Sequence, residues 1–226
     1  MTDTMLSFAE TVQARHSVRA FRSDPVPESM LHQVLADAQR APSNCNTQPW
    51  DVHIVSGASR DRLSRALHAA SEGGRLSPDF FWDETAFPGV YGDRRRAQGK
   101  VYYENLGVRR DDAEARRRAS ARNFSFFNAP HVALLFQPVV GDGVRVASDL
   151  GMYGQTFLLS LAARGLGGVP QTVLGLFADT VREVLDISSD VKLLFGISFG
   201  YPDEVASAHH VRMERDNLKQ SVVFHD

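Results

Sequence analysis

Leu31, Val34, Leu35 and Ala38 recur at the spacing of one helical face, directly after Pro25-Val26-Pro27, and predict a helix entered through proline. Pro42 and Pro49 bracket the polar turn that follows, and the alternation at Val52 and Ile54 predicts a strand after it. Val132 to Phe136 reads as a second strand ending at the Gln137-Pro138 breaker, and Leu193 to Phe199 as a third, closed by Gly200-Tyr201-Pro202. A long helix is predicted from Asp149 to about Arg164, with Ser148 as its N-cap and Gly165 as its stop, and a shorter one from Asp179 to Leu185. The segment between these two helices reads as a small-residue loop, and Gly73 to Tyr91 as irregular chain rich in breakers and aromatics. A few strands among helices, without a regular strand-helix repeat, predict an α+β fold with helices around a short, mostly antiparallel sheet. With no repeat, low-complexity tract or linker, residues 1–226 are expected to form a single domain.

Composition narrows the function classes. The 226 residues are 43% hydrophobic and 23% charged with a formal net charge of -2, whereas a dedicated nucleic-acid binder shows a basic excess. The local run Arg116-Arg117-Arg118 sits among Asp111, Asp112 and Glu114 and reads as a solvated helix face. One cysteine, Cys45, forms no internal disulfide and is expected to be an inert, buried turn residue. The beginning of the sequence lacks a signal-peptide pattern, and no apolar run approaches the roughly 20 residues that span a bilayer. The expected compartment is the cytoplasm, with neither nucleic acid nor membrane as partner.

Two polar blocks carry the candidate chemistry. Arg15, Ser17 and Arg19, with His16 between them, offer guanidinium forks and a hydroxyl suited to a phosphate dianion. Pro42, Ser43, Asn44, Asn46 and Gln48 form a turn whose amides suit the alternating donors and acceptors of a heterocycle. Separately, each block has a bland reading, a surface arginine cluster and an Asx-rich turn; together they point to a phosphorylated aromatic cofactor. Phe80, Trp82, Phe87 and Tyr91 are candidates to line a pocket for a planar substrate, or else to pack on the protein or a partner subunit. His209-His210 with His225 remote lacks metal-site spacing, and no serine stands in a G-x-S-x-G context. Pro170 occupies the place of the third glycine in a dinucleotide fingerprint beginning at Gly165, which disfavours a Rossmann site.

These blocks, in this order and spacing, resemble the nitroreductase family of FMN-dependent oxidoreductases, particularly the branch that reduces nitroaromatics such as nitrobenzoates. The resemblance continues through Arg94-Arg95-Arg96-Ala97-Gln98-Gly99, Asn123 with Phe126-Phe127-Asn128-Ala129-Pro130, and Asp149-Leu150-Gly151-Met152-Tyr153-Gly154-Gln155. It reaches Gly165-Leu166-Gly167 with Pro170-Gln171 and is weakest from Gly73 to Tyr91. What it implies is a nitroreductase-like fold in an intertwined homodimer with two FMN sites at the subunit interface. It places Arg15, His16, Ser17, Arg19, Gln155, Pro170, Gln171, Thr172 and Val173 at the cofactor with the amide turn, Arg19 near the pyrimidine side of the ring. Of the late basic residues, Arg215 matches the family's return to the FMN phosphate better than Arg212. It also implies a terminal strand or arm at Ser221 to Phe224 that packs on the second subunit.

The implied activity is ping-pong: NAD(P)H reduces the flavin at N5, leaves, and a nitroaromatic takes its place, with no protein side chain assigned as acid or base. The alternatives are a flavoenzyme of the same fold acting on quinones, flavins or halogenated aromatics, or a flavin-binding protein of low turnover. Steady-state NAD(P)H oxidation with a nitroarene separates the last from an enzyme.

Overall fold

The computed structural model describes residues 6–225. Its sheet contains β1 (Asp51–Ser56), β2 (His131–Pro138), β3 (Gly167–Gln171) and β4 (Val191–Gly200), in the order β1-β2-β4-β3 with every neighbouring pair antiparallel. Strand β2 is central and buried almost throughout, and its period of two divides the core. Val132, Leu134 and Phe136 join Leu63, Leu67 and Ala70 of α3 (Gly57–Glu72) and Val181 of α7 (Ala178–Leu185). Ala133 and Leu135 join Val34 and Ala38 of α2 (Glu28–Ala38) and Leu150, Phe157 and Leu161 of α6 (Val144–Ala163) on the other side. Each fully buried Leu or Phe contributes about 1.5–3 kcal/mol as an upper estimate, so the two clusters clamp the sheet from both faces.

The expected long helix begins earlier than its predicted N-cap, Ser148. Gly143, at φ 76°, is the N-cap of α6, and the Asp142 carboxylate accepts the Val144 N–H at 3.1 Å. A left-handed glycine and a short acidic side chain thus reverse the chain ahead of the apolar face that the sequence pattern registers. At the other end Gly165 stops the helix as expected: its N–H donates to Ala162 and that of Leu166 to Leu161, with Gly165 at φ 69°. The residues after it are a strand, β3, rather than a loop. Gly167 and Gly168 serve close approach there, because a Cβ on Gly167 would lie 2.6 Å from Val18 Cγ2 and one on Gly168 2.7 Å from Leu158 Cδ2. Strand β2 likewise includes Gln137 and Pro138, the latter paired with Val191.

Three helices go beyond the sequence expectation, while a fourth is the helix expected at the basic run. Helix α1 (Phe8–Ala14) is closed by a capping box between Ser7 and Glu10. Helix α3 presents only Leu63, Leu67 and Ala70 to the core on an otherwise polar cylinder. Helix α4 (Gly89–Asn105) carries no apolar stripe, and α5 (Ala113–Ala121) contains the basic run. There Arg117 and Arg118 are exposed as expected, while Arg116 covers the Tyr103 ring at 4.0 Å. Segment 73–88 is pinned where Ser77 bridges Phe177 and where the Asp79 carboxylate meets Arg182 and the Leu193 N–H. Tyr91 departs from the irregular segment and lies in the first turn of α4. At the C-terminus Arg94 of α4 pairs with Asp216. Among the described residues, 221–224 form an exposed arm rather than a strand.

Candidate functional site

The arginine segment runs extended beside β3: Ser17 bridges Gly168, the Val18 N–H donates to the Gly168 carbonyl at 3.3 Å, and Phe21 bridges Pro202. Successive side chains of extended backbone point to opposite faces. Val18 and Ala20 enter the core, and Arg15, Ser17 and Arg19 are left half-buried on the other face, forming a row of donors. His16 shares the parity of the core residues. Its Nδ1 hydrogen-bonds with the Ala14 carbonyl at 2.8 Å and its ring packs edge-on against His209, centroids 5.4 Å apart. Burial lowers its pKa, the Ala14 hydrogen bond partly opposes this, and Arg212, His209 and Arg15 add to the lowering, so the ring is neutral at pH 7.

The late basic residues separate. Arg215 lies close enough to Arg15 that, after burial, it is the second cause of the lowered Arg15 pKa. Arg212 stands instead beside His16 and His209 and donates to the carbonyls of His209 and Val211. Arg215 donates to its neighbours' carbonyls at Met213 (3.0 Å) and Glu214 (3.1 Å). Arg19 lies over the Tyr102 ring at 5.2 Å, and its carbonyl accepts from Arg122 Nη2 at 2.7 Å. Among the described residues no carboxylate pairs with Arg15, Arg19, Arg122, Arg212 or Arg215. Arginine remains charged in proteins, so the half-buried Arg15, Arg19 and Arg122 with the exposed Arg212 and Arg215, none of them paired with a carboxylate among the described residues, form a site prepared for an anion. Arg122 and Tyr102 carry no motif signal; only the proximity of Arg122 to the family-like Asn123 could have drawn attention to it.

The amide turn is a second construction. Cys45, Asn46 and Gln48 have φ of 52°, 57° and 47°, values that a residue with a side chain seldom adopts. The turn is held by Asp149, whose two carboxylate oxygens accept the Asn44 N–H at 3.1 and 3.2 Å, and by Ser43 Oγ, which accepts the Gln48 N–H at 2.9 Å. Gln48 Nε2 reaches back to the Asn46 carbonyl at 3.3 Å. Asn44, Asn46 and Gln48 are exposed, and so is Cys45, which corrects its expected burial: the left-handed turn directs it outward. Pro42, Ser43 and Asn44 border a cavity of about 610 Å³ with Arg145, Ser148 and Met152 of α6.

At the end of β3, Pro170 and Thr172 are exposed and Val173 is half-buried. Gln171 is buried with its amide fully engaged: Nε2 donates to the Asn123 carbonyl and Oδ1 at 3.0 and 3.1 Å, and Oε1 accepts from Ser198. Only its backbone is left for a ligand. Gln155 is exposed on α6. Phe80 is held near Gly143 with Lys192 over its ring at 5.8 Å, and Trp82 meets Phe87 edge-on at 6.4 Å, both half open to solvent. Arg94 lies over Tyr91 at 5.8 Å.

The two polar constructions stand apart within one chain. Asp149 fixes the amide turn near the start of α6, whereas the Gly168 backbone bonded to the arginine segment packs on Leu158 and Leu161. At about 1.5 Å rise per residue these points are roughly 14–18 Å apart along the helix.

The sequence model of the Nitroreductase family matches residues 12–201. Nitroreductase NfnB of Mycolicibacterium smegmatis is 43% identical to this chain over 213 residues, 94% of this chain and 90% of that protein. A 4-nitrobenzoate reductase of Pseudomonas putida is 32% identical, over 92% of this chain and 91% of its own length. A crystal structure of the FMN-dependent nitroreductase NfnB from Mycobacterium smegmatis in complex with NADPH superposes with a TM-score of 0.92 at 42% identity. That superposition covers 97% of this chain and all of the other.

Proposed function

Since the chain belongs to the nitroreductase family, we propose that it is an FMN-dependent NAD(P)H oxidoreductase that reduces nitroaromatic compounds. The observation that carries this reading is the half-buried row of Arg15, Ser17 and Arg19, with Arg215 from the other end of the chain near enough to act on Arg15, on a face where no carboxylate among the described residues neutralises the arginines. A phosphate with its two charges is the partner that such a pair, with the Ser17 hydroxyl between Arg15 and Arg19, is built to hold. FMN, when bound, supplies the redox chemistry, taking a hydride from the nicotinamide and passing two electrons to the nitro group.

The chain's own residues bind and orient. Arg15, Ser17 and Arg215 hold the phosphate, with Arg212 beside His16 and His209 as a further cation, and His16 offers its backbone to the cofactor. Arg19 supplies positive charge toward the pyrimidine side of the ring. The exposed amides of Asn44, Asn46 and Gln48 suit the ring's edge, and the backbone at Pro170 to Val173 borders its reactive side. Phe80, Trp82, Phe87 and Tyr91 supply apolar walls for the nitroarene.

The separation of the two constructions along α6 favours a homodimer in which each site takes its arginine row from one subunit and its amide turn from the other. Exposed apolar side chains at Phe8, Val12, Met152, Val223 and Phe224 give such a partner a surface to cover. No helix among the described residues is long and apolar enough to cross a membrane, and with a single free cysteine we assign the protein to the cytoplasm.

An absorbance spectrum of the purified protein, repeated anaerobically with NADPH or NADH and then with 4-nitrobenzoate, tests the cycle. Flavin bands that bleach with the nicotinamide and return with the nitroarene are expected. A protein that takes up no flavin on incubation with FMN overturns the reading.

A further inference from the structure

A second cluster of uncompensated charge lies beyond the phosphate face. Arg122, which follows α5, directs one Nη2 donor to the Arg19 carbonyl, while Arg19 makes only a long 3.4 Å contact to the Ser17 carbonyl. Each guanidinium has five N–H donors, and a carbonyl dipole does not neutralise a full charge, so both side chains retain donors and charge. The two cations are near enough for Arg122 to be among the causes of the lowered Arg19 pKa, after burial. Between them lies Tyr102 of α4, 8% exposed. Burial raises its pKa, and the guanidinium groups of Arg122 and Arg19 only partly offset this, so the phenol keeps its proton. Arg122 approaches the Tyr102 hydroxyl closely enough to act on it, yet no hydrogen bond of normal geometry results, and that hydroxyl has no partner among the described residues. A buried hydroxyl left in this state costs about 1–3 kcal/mol, which a ligand that accepts its proton recovers.

The backbone that presents Arg122 is itself unusual. Phe126, Phe127 and Asn128 have consecutive φ of 54°, 53° and 67° although none is glycine. The Phe127 N–H closes this turn onto the Arg122 carbonyl at 3.0 Å, and the Phe127 carbonyl accepts from Phe21 beyond the arginine segment at 3.3 Å. The Arg122 guanidinium then covers the Phe127 ring at 5.6 Å. Strained backbone held on both sides by hydrogen bonds and packing fixes Arg122 against Arg19 instead of leaving it free to seek a carboxylate.

We propose that Arg122 and Tyr102 are cofactor-binding residues that act with Arg19: two fixed cations and one phenolic donor facing the pyrimidine edge of the flavin, where negative charge accumulates on reduction. The assignment rests on the FMN reading above and deepens it. Both guanidinium groups bind the reduced ring more tightly than the oxidised one, because only the former carries the added charge, and Tyr102 donates to a ring acceptor in either state.

The test compares flavin midpoint potentials and FMN dissociation constants in the purified holoprotein and its variants. Arg122→Gln is expected to weaken reduced FMN about tenfold relative to oxidised FMN, lowering the two-electron potential by about 30 mV. Arg122→Lys, which keeps the charge, is expected to lose less than half of that. Tyr102→Phe removes a hydroxyl that the fold does not use, so the apoprotein should melt no lower than wild type while oxidised FMN binds several-fold more weakly. An unchanged potential in Arg122→Gln, or unchanged FMN affinity in Tyr102→Phe, overturns the assignment of that residue. Should Arg122→Gln not fold, the Lys and Phe variants decide. A wild-type protein that takes up no FMN overturns the broader reading, an outcome distinct from either of these.

Discussion

The carboxylate of Asp149 accepts the backbone N–H of Asn44 through both oxygens, at 3.1 and 3.2 Å, and so ties a turn of left-handed residues to the N-terminal part of α6. Asp149 is 4% exposed, so little water is at hand to replace it. Asp149→Ala leaves the Asn44 N–H without its acceptor, at a cost of about 1–3 kcal/mol. The expected result is a melting temperature lower by about 2–10 °C in the apoprotein, with a further loss of FMN affinity because the turn relaxes. Asp149→Asn retains an acceptor and should recover most of both. Calorimetry and FMN titration check this; an alanine variant that melts and binds as wild type would remove Asp149 from the site.

Gly167→Ala probes the other construction. Its new Cβ would lie 2.6 Å from Val18 Cγ2 and 2.9 Å from Val18 Cβ, so the arginine segment has to move away from β3. Overpacking of this kind costs about 1–3 kcal/mol. Because Ser17 and Arg19 flank Val18, FMN affinity should fall together with stability. Adding Val18→Ala makes room, and the double variant is expected to regain more affinity than the two single effects predict by addition. Strict additivity would show that the contact does not set the position of the arginines.

The sequence made three of the four strands and both polar blocks legible where local chemistry and periodicity agree. Strand β2 and helix α2 could be read from their apolar periods, and Gly165 stops α6 as a left-handed C-terminal glycine should. Strand β3 was hidden because its glycines serve contacts with Val18 and Leu158, which have no local signature. Helix α4 was hidden because it has no apolar stripe. In the site, Arg15, Ser17 and Arg19 were visible as a pattern, while Arg122 and Tyr102 reach Arg19 only through tertiary folding. Gln171 was visible, but not that Asn123 and Ser198 occupy its side chain.

His131 makes stability depend on pH. Its Nε2 accepts the Val26 N–H at 2.9 Å, so the ring proton is assigned to Nδ1, which faces the Ser56 hydroxyl. Burial lowers the folded pKa of His131 below the usual 6.5. Below that ordinary value the unfolded chain binds the proton more readily than the folded one, and the native state loses stability as pH falls toward the lowered folded value. Above about 6.5 the contribution is fully present. His131→Gln should be less stable at neutral pH yet show a shallower decline between neutral and mildly acidic pH. Urea unfolding of the apoprotein across that range measures both slopes; His16 and His209, whose pKa values are also lowered, remain in both proteins and cancel in the comparison. Parallel slopes would count against His131 as the titrating group.

Arg15 and Arg215 repel one another in the apoprotein, and this sets apart the consequences of removing either. Arg215→Ala relieves the repulsion, and because Arg215 donates only to the carbonyls of Met213 and Glu214 it leaves no buried group unsatisfied. The apoprotein should therefore melt at or slightly above the wild-type temperature. FMN should bind about 10- to 100-fold more weakly, the loss of one charge-assisted hydrogen bond to phosphate of about 1.5–3 kcal/mol. The same substitution should make affinity less sensitive to salt, since one of the screened charges is gone. Riboflavin, which lacks the phosphate, is the control: its affinity should be little changed by Arg215→Ala. Equal losses for FMN and riboflavin would place Arg215 at the ring or the fold, not at the phosphate.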